Sequence, residues 1–575
     1  MKIILAQTAG FCMGVRRAVE MVMEAPEKHD PPICTYGPLI HNPQVLELLE
    51  EKGISILDGV PASGKGTALI RAHGVPPEVK NDLDRAGYAV IDATCPRVIR
   101  VQTIIRKHSA KGYATIIIGD RDHPEVIGLL GYAGNQGYVA ASLAELEVLP
   151  QFEKAIVVAQ TTQNSRSFAD IRAWAQQQRP HYKLYETICD STEKRQSEVK
   201  CLAKLVDAVV VVGGKDSGNT QRLFEIAKAS GKPAYHIETE KDLDLEALSG
   251  MQSVGISAGA STPNWQIRKV CRTLESAPYQ AAKSLRSRLY HLLRTLILTN
   301  IYVALGAGCL ALTAQKLQML PLSLLHVAIA ILYVLSMHLM NNLIGSEADR
   351  YNSPERERFY KHYKEPLVFL AIAAGSAGLA LAATAGRMSF GVLLVMSLLG
   401  LSYNRRVLPA FLSNGRYRRI RDIPGSKTFL IAAAWGVVTT VLPALAARQM
   451  TPITPLVMIW TAGIVFSRSA FFDLLDIQGD RLVGRETIPV LLGEKRTADL
   501  LKLNLLMMTI LPLMLSISGQ TPSLGFLLVL VPVAMITVIR SHETARIPTG
   551  ARLEFLMESH FILAGALSLI WQYLL

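Results

Sequence analysis

The chain has 575 residues, 50% of them hydrophobic, and a formal net charge of +13. That length calls for more than one domain. The basic balance alone would suit nucleic acid, but many Lys and Arg residues flank apolar runs and no aromatic–basic interleaving offers a stacking surface, so no nucleic-acid partner is expected. Seven cysteines, an odd number, follow a start (MKIILAQTAGFCMGVRR) without the basic-then-apolar order of a secretory signal. Both facts favour a reducing cytoplasm over a disulfide framework.

Up to about Leu285, short apolar runs alternate with amphipathic stretches. Strands are predicted to begin near Ile3, Ile33, Ala68, Ala89, Ala114, Ala155, Glu186, Ala208 and Val254, each followed by a polar loop and a helix. This is the pattern of parallel strands with crossover helices. The loops recur in a fixed order. One type carries Cys12 (GFCMGV), Cys95 (ATCPRV) and Cys189 (ICDSTEK). A second carries His41 (LIHNPQV), His123 (RDHPEV) and Ser217 (GKDSGNT). A third carries His73 (RAHGVPP), Thr161 (AQTTQN) and Ser261 (AGASTPN). The interval from Cys12 to Cys95 matches that from His41 to His123 within one residue, and the next intervals agree fully. A period of roughly 80–100 residues is too long for a solenoid. Three α/β modules around a central point are expected instead.

Ligands of parallel sheets sit beyond the carboxyl ends of the strands, where all nine loops fall. Pro43, Pro76, Pro96, Pro124 and Pro263 follow the candidate residues closely and mark helix starts. The candidate side chains are thus predicted beside helix N-termini, which favour anions such as phosphate. A lone cysteine at a strand end is usually a small buried hydrophobe. Three at corresponding places, with no CxxC pair to suggest zinc, can instead hold a [4Fe–4S] cluster by three corners and leave one iron open. Cys34, Cys201, Cys271 and Cys309 have no such counterparts and are read as packing residues. Taken singly, each histidine would be a helix cap or a satisfied buried donor. Together with Ser217, Asn219 and Ser261 they outline a polyanion pocket, and Glu125, beside His123, is placed to donate a proton.

These motifs, with GPLIHNPQV, DATCPRV, QTT and GGKDSGNT, resemble those of the 4-hydroxy-3-methylbut-2-enyl diphosphate reductase family over nearly all of residues 1–280. The resemblance implies a [4Fe–4S] cluster on Cys12, Cys95 and Cys189. It implies diphosphate contacts from His41, His73, His123, Ser217, Asn219 and Ser261, and proton delivery by Glu125 and Thr161. The implied reaction is a two-electron, two-proton reductive dehydroxylation of an allylic diphosphate, fed by an electron donor protein such as ferredoxin or flavodoxin. Gly218 stands where some family members carry a second serine.

After a linker at 281–290, residues 291–575 hold nine apolar stretches centred near Val303, Ala330, Ala374, Val395, Ala434, Thr461, Thr509, Val531 and Ala566. About 20 residues span a bilayer, so an all-α membrane half in contact with lipid is expected, with about nine transmembrane helices. Arg286, Arg288 and Arg294 precede the first span, and clusters such as Arg405, Arg406, Arg416, Arg418, Arg419 and Arg421 occupy alternate loops. The other loops hold little beyond Lys316, Arg387 and Arg448. The positive-inside rule then places the first half in the cytoplasm, on a bacterial-type inner membrane.

In FFDLLDIQGDRLVGRETIPVLLG, Asp473, Asp476 and Asp480 are spaced to share one helical face, which can hold Mg²⁺ against a diphosphate. The plainer alternative is a solvated loop helix. With SYNRRVLP and RIRDIPGSKTF, this segment resembles the UbiA-type intramembrane prenyltransferases. Where that family has NDxxDxxxD, this chain reads NNLIGSEAD: Asn342 and Gly345 replace two aspartates, and Asp349 remains. Arg350 and Lys427 are candidate phosphate grips. Two readings of the membrane half stay open, an active prenyltransferase and a silent anchor or prenyl-diphosphate-binding module.

Overall fold

Runs such as AVVVV and ATIII have no polar face, so they belong in strands covered on both sides. The computed structural model, which describes residues 1–280, 284–345, 347–403, 420, 423–483, 485–544 and 550–574, divides into two units, Met1–Leu274 and Glu275–Leu575. The first contains twelve strands in chain order: β1 (Lys2–Leu5), β2 (Ile33–Tyr36), β3 (Ser55–Leu57), β4 (Thr67–Ile70), β5 (Ala89–Asp92), β6 (Ala114–Ile118), β7 (Gly137–Ala140), β8 (Ala155–Ala159), β9 (Lys183–Leu184), β10 (Ala208–Val212), β11 (Ala234–Ile237) and β12 (Ser253–Ala258).

They form three four-stranded parallel sheets, ordered β3-β2-β4-β5, β7-β6-β8-β9 and β11-β10-β12-β1. The plan is the same in each. Two largely buried central strands lead into a His or Ser loop and a His, Thr or Ser loop, and one edge strand leads into a cysteine loop. The modules are not the sequence thirds, however. The first strand of the chain closes the last sheet, Ile3 opposite Val254, so Cys12 belongs with Ser217 and Ser261. All nine expected strands are present, the one expected near Glu186 lying slightly earlier, as β9. The additional strands, β3, β7 and β11, are the opposite edge in each sheet. They are short and only partly covered, so they lack the apolar run that betrays a strand.

In the second unit, seven helices are long and apolar enough to cross a membrane: Leu324–Ile344, Lys364–Ala385, Ser426–Ala446, Ile453–Leu475, Glu494–Ile517, Leu524–Glu543 and Ala551–Tyr573. Side chains such as Phe369, Ile372, Leu503 and Met514 stay exposed on them, as lipid-facing residues do. The protein is a multi-pass membrane protein. The pair Leu285–Leu298 and Ile301–Leu317, bent by 73°, is a broken span or a re-entrant loop and brings the number to eight at most among the described residues. Asn300 at the bend has φ 57°, a left-handed conformation that asparagine tolerates, and its Nδ2 donates to Tyr360 OH at 2.7 Å. The expectation of about nine transmembrane helices agrees with the seven or eight candidates among the described residues, nine being approximate. The stretch around Val395 is helical, but among the described residues its helix, Arg387–Ser402, has 16 residues, short of the number that crosses a hydrocarbon core. The arginine cluster from Arg405 to Arg421 lies outside the described residues.

Candidate functional site

Each of the three cysteines caps a helix N-terminus: Cys12 that of Met13–Lys28, Cys95 that of Pro96–Ser109 and Cys189 that of Asp190–Leu205. Free N–H groups there favour the thiolate, and Val15 N–H already donates to Cys12 Sγ at 3.5 Å. None of the three is in a disulfide, and all are partly accessible. A β-carbon at Gly14 would overlap Cys95 Sγ, so the missing side chain lets the Cys12 helix approach the second thiol. Burial pushes the Cys95 thiol up, and the charges of Cys12 and Cys189 push it further. Cys12 and Cys189 thus both lie within electrostatic reach of Cys95. Of the other cysteines, Cys34 and Cys271 are buried as expected, but Cys201 is exposed, so its reading as a packing residue is corrected.

His41, His73 and His123 form a triangle, with ring centroids 4.8, 5.6 and 5.4 Å apart and a ring nitrogen from each within 4.8 Å of the others. Such a set could hold a cation, but its surroundings are positive. Burial is the main cause lowering all three pKa values, and Arg71 lowers them further; His123 falls to about 4. Glu125 N–H donates to His123 Nδ1 at 3.1 Å, so the neutral ring carries its proton on Nε2. His41 Nε2, His73 Nδ1 and Asn219 Nδ2 are buried without a hydrogen-bond partner. Unsatisfied buried donors are rare and call for an explanation. An anion filling the pocket supplies one.

The neighbouring residues complete that pocket. Ser217 caps the helix Gly218–Lys228, and Ser261 Oγ donates to His41 O at 3.1 Å. Glu125, 2% exposed, accepts from Thr161 N at 2.6 Å and Thr161 Oγ1 at 2.8 Å. Burial raises its pKa against the opposing effect of these bonds. A β-carbon at Gly218 would lie 3.1 Å from Arg222 Nη1 and 3.8 Å from His123 Cδ2, so the position lies against the histidine triangle.

Sequence reasoning missed three residues here. Arg222 binds Asp120 Oδ2 at 2.6 Å and Gln163 Oε1 at 3.1 Å, and Arg195 is buried beside the cysteine loops. Arg71 lies by the histidines. A signal existed for two of them. Arg222 is in register with Leu223 and Ile226, and Arg195 with Val199 and Leu202, on the buried stripes of their helices; a charge on an apolar stripe needs a partner.

In the second unit, the helix bearing Asp473 ends at Leu475 and a short helix, Ile477–Leu482, carries Asp480. The single continuous face expected for Asp473, Asp476 and Asp480 is therefore broken, because Asp476 at φ −92° and ψ 2° leaves the helical region at the junction. Nor is this a solvated helix: Asp473 is 5% and Asp480 3% exposed. Thr428 Oγ1 donates to Asp473 Oδ2 at 2.6 Å, and Lys427 Nζ lies 3.6 Å from Oδ1. Asn352 Nδ2 donates to Asp480 Oδ1 at 3.1 Å. Burial, then the charge of Asp476, pushes the Asp480 carboxyl up to about 7. Asp349 lies within electrostatic reach of Lys427, whereas Asn342 donates to Tyr360 OH at 3.3 Å.

Fold and site define a two-part protein, an α/β unit with thiols and a histidine-lined polar pocket at the loop ends of its sheets, joined in one chain to a multi-pass helical membrane unit. Residues 3–275 match the family described as LytB protein, and residues 301–562 match the UbiA prenyltransferase family. The chain is 42% identical over 275 residues to a 4-hydroxy-3-methylbut-2-enyl diphosphate reductase of Geobacter sulfurreducens, an alignment covering 48% of this chain and 97% of the relative. It is 44% identical over 280 residues to the protein of that description from Nitratidesulfovibrio vulgaris, covering 48% and 100%. A UbiA homolog from Aeropyrum pernix K1 aligns over 48% of this chain and 97% of its own, at 17% identity and a TM-score of 0.38. The chain belongs to the LytB family of 4-hydroxy-3-methylbut-2-enyl diphosphate reductases, and its second half is a UbiA-family domain.

Proposed function

We propose that the first unit converts 4-hydroxy-3-methylbut-2-enyl diphosphate to isopentenyl and dimethylallyl diphosphates. Two electrons come from a small carrier such as a ferredoxin or flavodoxin. Two protons are consumed; the allylic C–O bond breaks, a C–H bond forms and water leaves. The observation that supports this best is the triangle of His41, His73 and His123, in which His41 Nε2 and His73 Nδ1 are unpartnered, beside the Glu125–Thr161 pair. The donor set also fits a [4Fe–4S] cluster, since three free thiols cap helices and Gly14 leaves room for Cys95. When bound, that cluster would relay electrons and offer a Lewis-acidic iron to the hydroxyl.

The chain's own residues do the rest. His41, His73, His123 and Asn219 donate to diphosphate oxygens, with Ser217 and Ser261 at the rim. Glu125, whose pKa burial raises, holds the proton that leaves with the hydroxyl, and Thr161 Oγ1, 2.8 Å away, passes it on. The test of the ligand set is an anaerobic iron and sulfide count on Cys12→Ser, Cys95→Ser and Cys189→Ser. Each should lose most of its iron while Cys201→Ser keeps it. Equal iron in all four would refute the set.

The second unit is proposed to bind a prenyl diphosphate through Mg²⁺ held by Asp349, Asp473, Asp476 and Asp480, and to transfer the prenyl group to an acceptor. Buried carboxylates converging near Lys427 support this. The basic loops favour an inner-membrane placement with the first unit and these carboxylates on the cytoplasmic side. One observation favours the second reading, a silent binding module: Asn342, in place of an aspartate, is turned to Tyr360. Asp476→Ala decides between the two. Loss of prenyl transfer supports the enzyme, and transfer absent from the unaltered chain supports the module.

A further inference from the structure

Arg195 is 3% exposed and lies on the helix that Cys189 caps. Its Nη1 donates to Ala258 O at 3.0 Å and its Nη2 to Gly10 O at 2.6 Å. Gly10 is two residues before Cys12, and Ala258 ends β12, the strand beside β1. One guanidinium therefore ties the Cys189 helix to the loop of Cys12. Its Nε is buried with no hydrogen-bond partner.

Two carbonyls do not neutralise a cation. A buried charge without a counter-charge is costly by several kcal/mol. Glu198, one turn further on, is one carboxylate whose charge reaches Arg195, but it takes its hydrogen bonds from Gln7 N, Thr8 N and Thr8 Oγ1 and makes no hydrogen bond to the guanidinium. Among the described residues, the other negative charges that reach Arg195 are those of Cys12 and Cys189. For a mere tie between two carbonyls, a neutral amide would suffice and would not bury a charge.

We propose that Arg195 is the counter-charge of the iron–sulfur cluster, a positioning residue that raises its reduction potential. The inference rests on the cluster reading above. An electron from the carrier protein makes the cluster more negative, and a fixed buried cation stabilises that state over the oxidised one. Nothing in this role requires Arg195 to touch substrate.

The test is a redox titration of the cluster in anaerobically reconstituted full-length protein, followed by electron paramagnetic resonance, with iron content measured alongside. Arg195→Gln keeps hydrogen-bond donors and removes the charge; Arg195→Lys keeps the charge. The expected result is that Arg195→Gln lowers the equilibrium constant for reduction about tenfold or more, about 59 mV for one electron, and that Arg195→Lys restores most of it. If Arg195→Gln loads no cluster but Arg195→Lys loads one of unchanged potential, the charge role also stands. An unchanged potential in loaded Arg195→Gln would overturn it, as would equal loss of iron or of fold in both variants, the mark of a simple tie. Absence of any cluster signal in the unaltered protein would remove the cluster reading itself, and this inference with it.

Discussion

Glu125 shows how a common residue comes to an uncommon setting. As a first-turn glutamate it would ordinarily be exposed and ionised. Here it is 2% exposed, and Thr161 occupies both its oxygens. Glu125→Gln keeps the shape and removes the proton, so turnover should fall by roughly 10²–10⁴ with iron content unchanged, measured by product formation under reducing, anaerobic conditions. The histidines make a second prediction. In the folded state their pKa values lie below the ordinary 6.5, His123 at about 4. Below pH 6.5 the unfolded chain therefore binds more protons than the folded one, and stability falls as pH drops from 7 towards 4. The slope is up to about 1.4 kcal/mol per pH unit for each histidine. Thermal unfolding of the first unit between pH 7 and 5 should show this fall, and His123→Gln should flatten it.

At the level of elements, the site is a convergence of loop ends and helix starts, and so it was largely legible. Cysteine, histidine and proline at fixed places after apolar runs announce the strand ends and the helix starts that follow them. What escaped has physical reasons. The edge strands β3, β7 and β11 bury too little to show a pattern. Arg195 and Arg222 look like solvent-facing charges until their helix stripes are drawn. The break at Asp476 is a local backbone departure that carboxylate spacing does not reveal. Gly14 offers a direct probe. Gly14→Ala puts a methyl into Cys95 Sγ, so the sulfur must move; iron content should drop by half or more while the helical signal of the fold remains.

For the whole molecule, the boundary between the units and the lengths of the relatives carry the argument. Proteins covered to 97% and 100% by the first half stand alone as reductases. We therefore expect residues 1–284 to keep reductase turnover within about twofold of the full chain, as an independent domain should; a loss far beyond that would make the membrane unit part of the reductase. The membrane half was legible as apolar length, whereas the 73° bend between Leu285–Leu298 and Ile301–Leu317 was not, because a bent pair looks continuous in one dimension.

The central claim is that three thiolates from separate modules and one anion pocket act on a single allylic diphosphate. Its most direct test is anaerobic turnover of 4-hydroxy-3-methylbut-2-enyl diphosphate by the purified, iron-loaded full chain. Isopentenyl and dimethylallyl diphosphates should appear, one molecule of product for every two electrons consumed. A fully loaded protein that binds the diphosphate and leaves its hydroxyl in place would contradict the account.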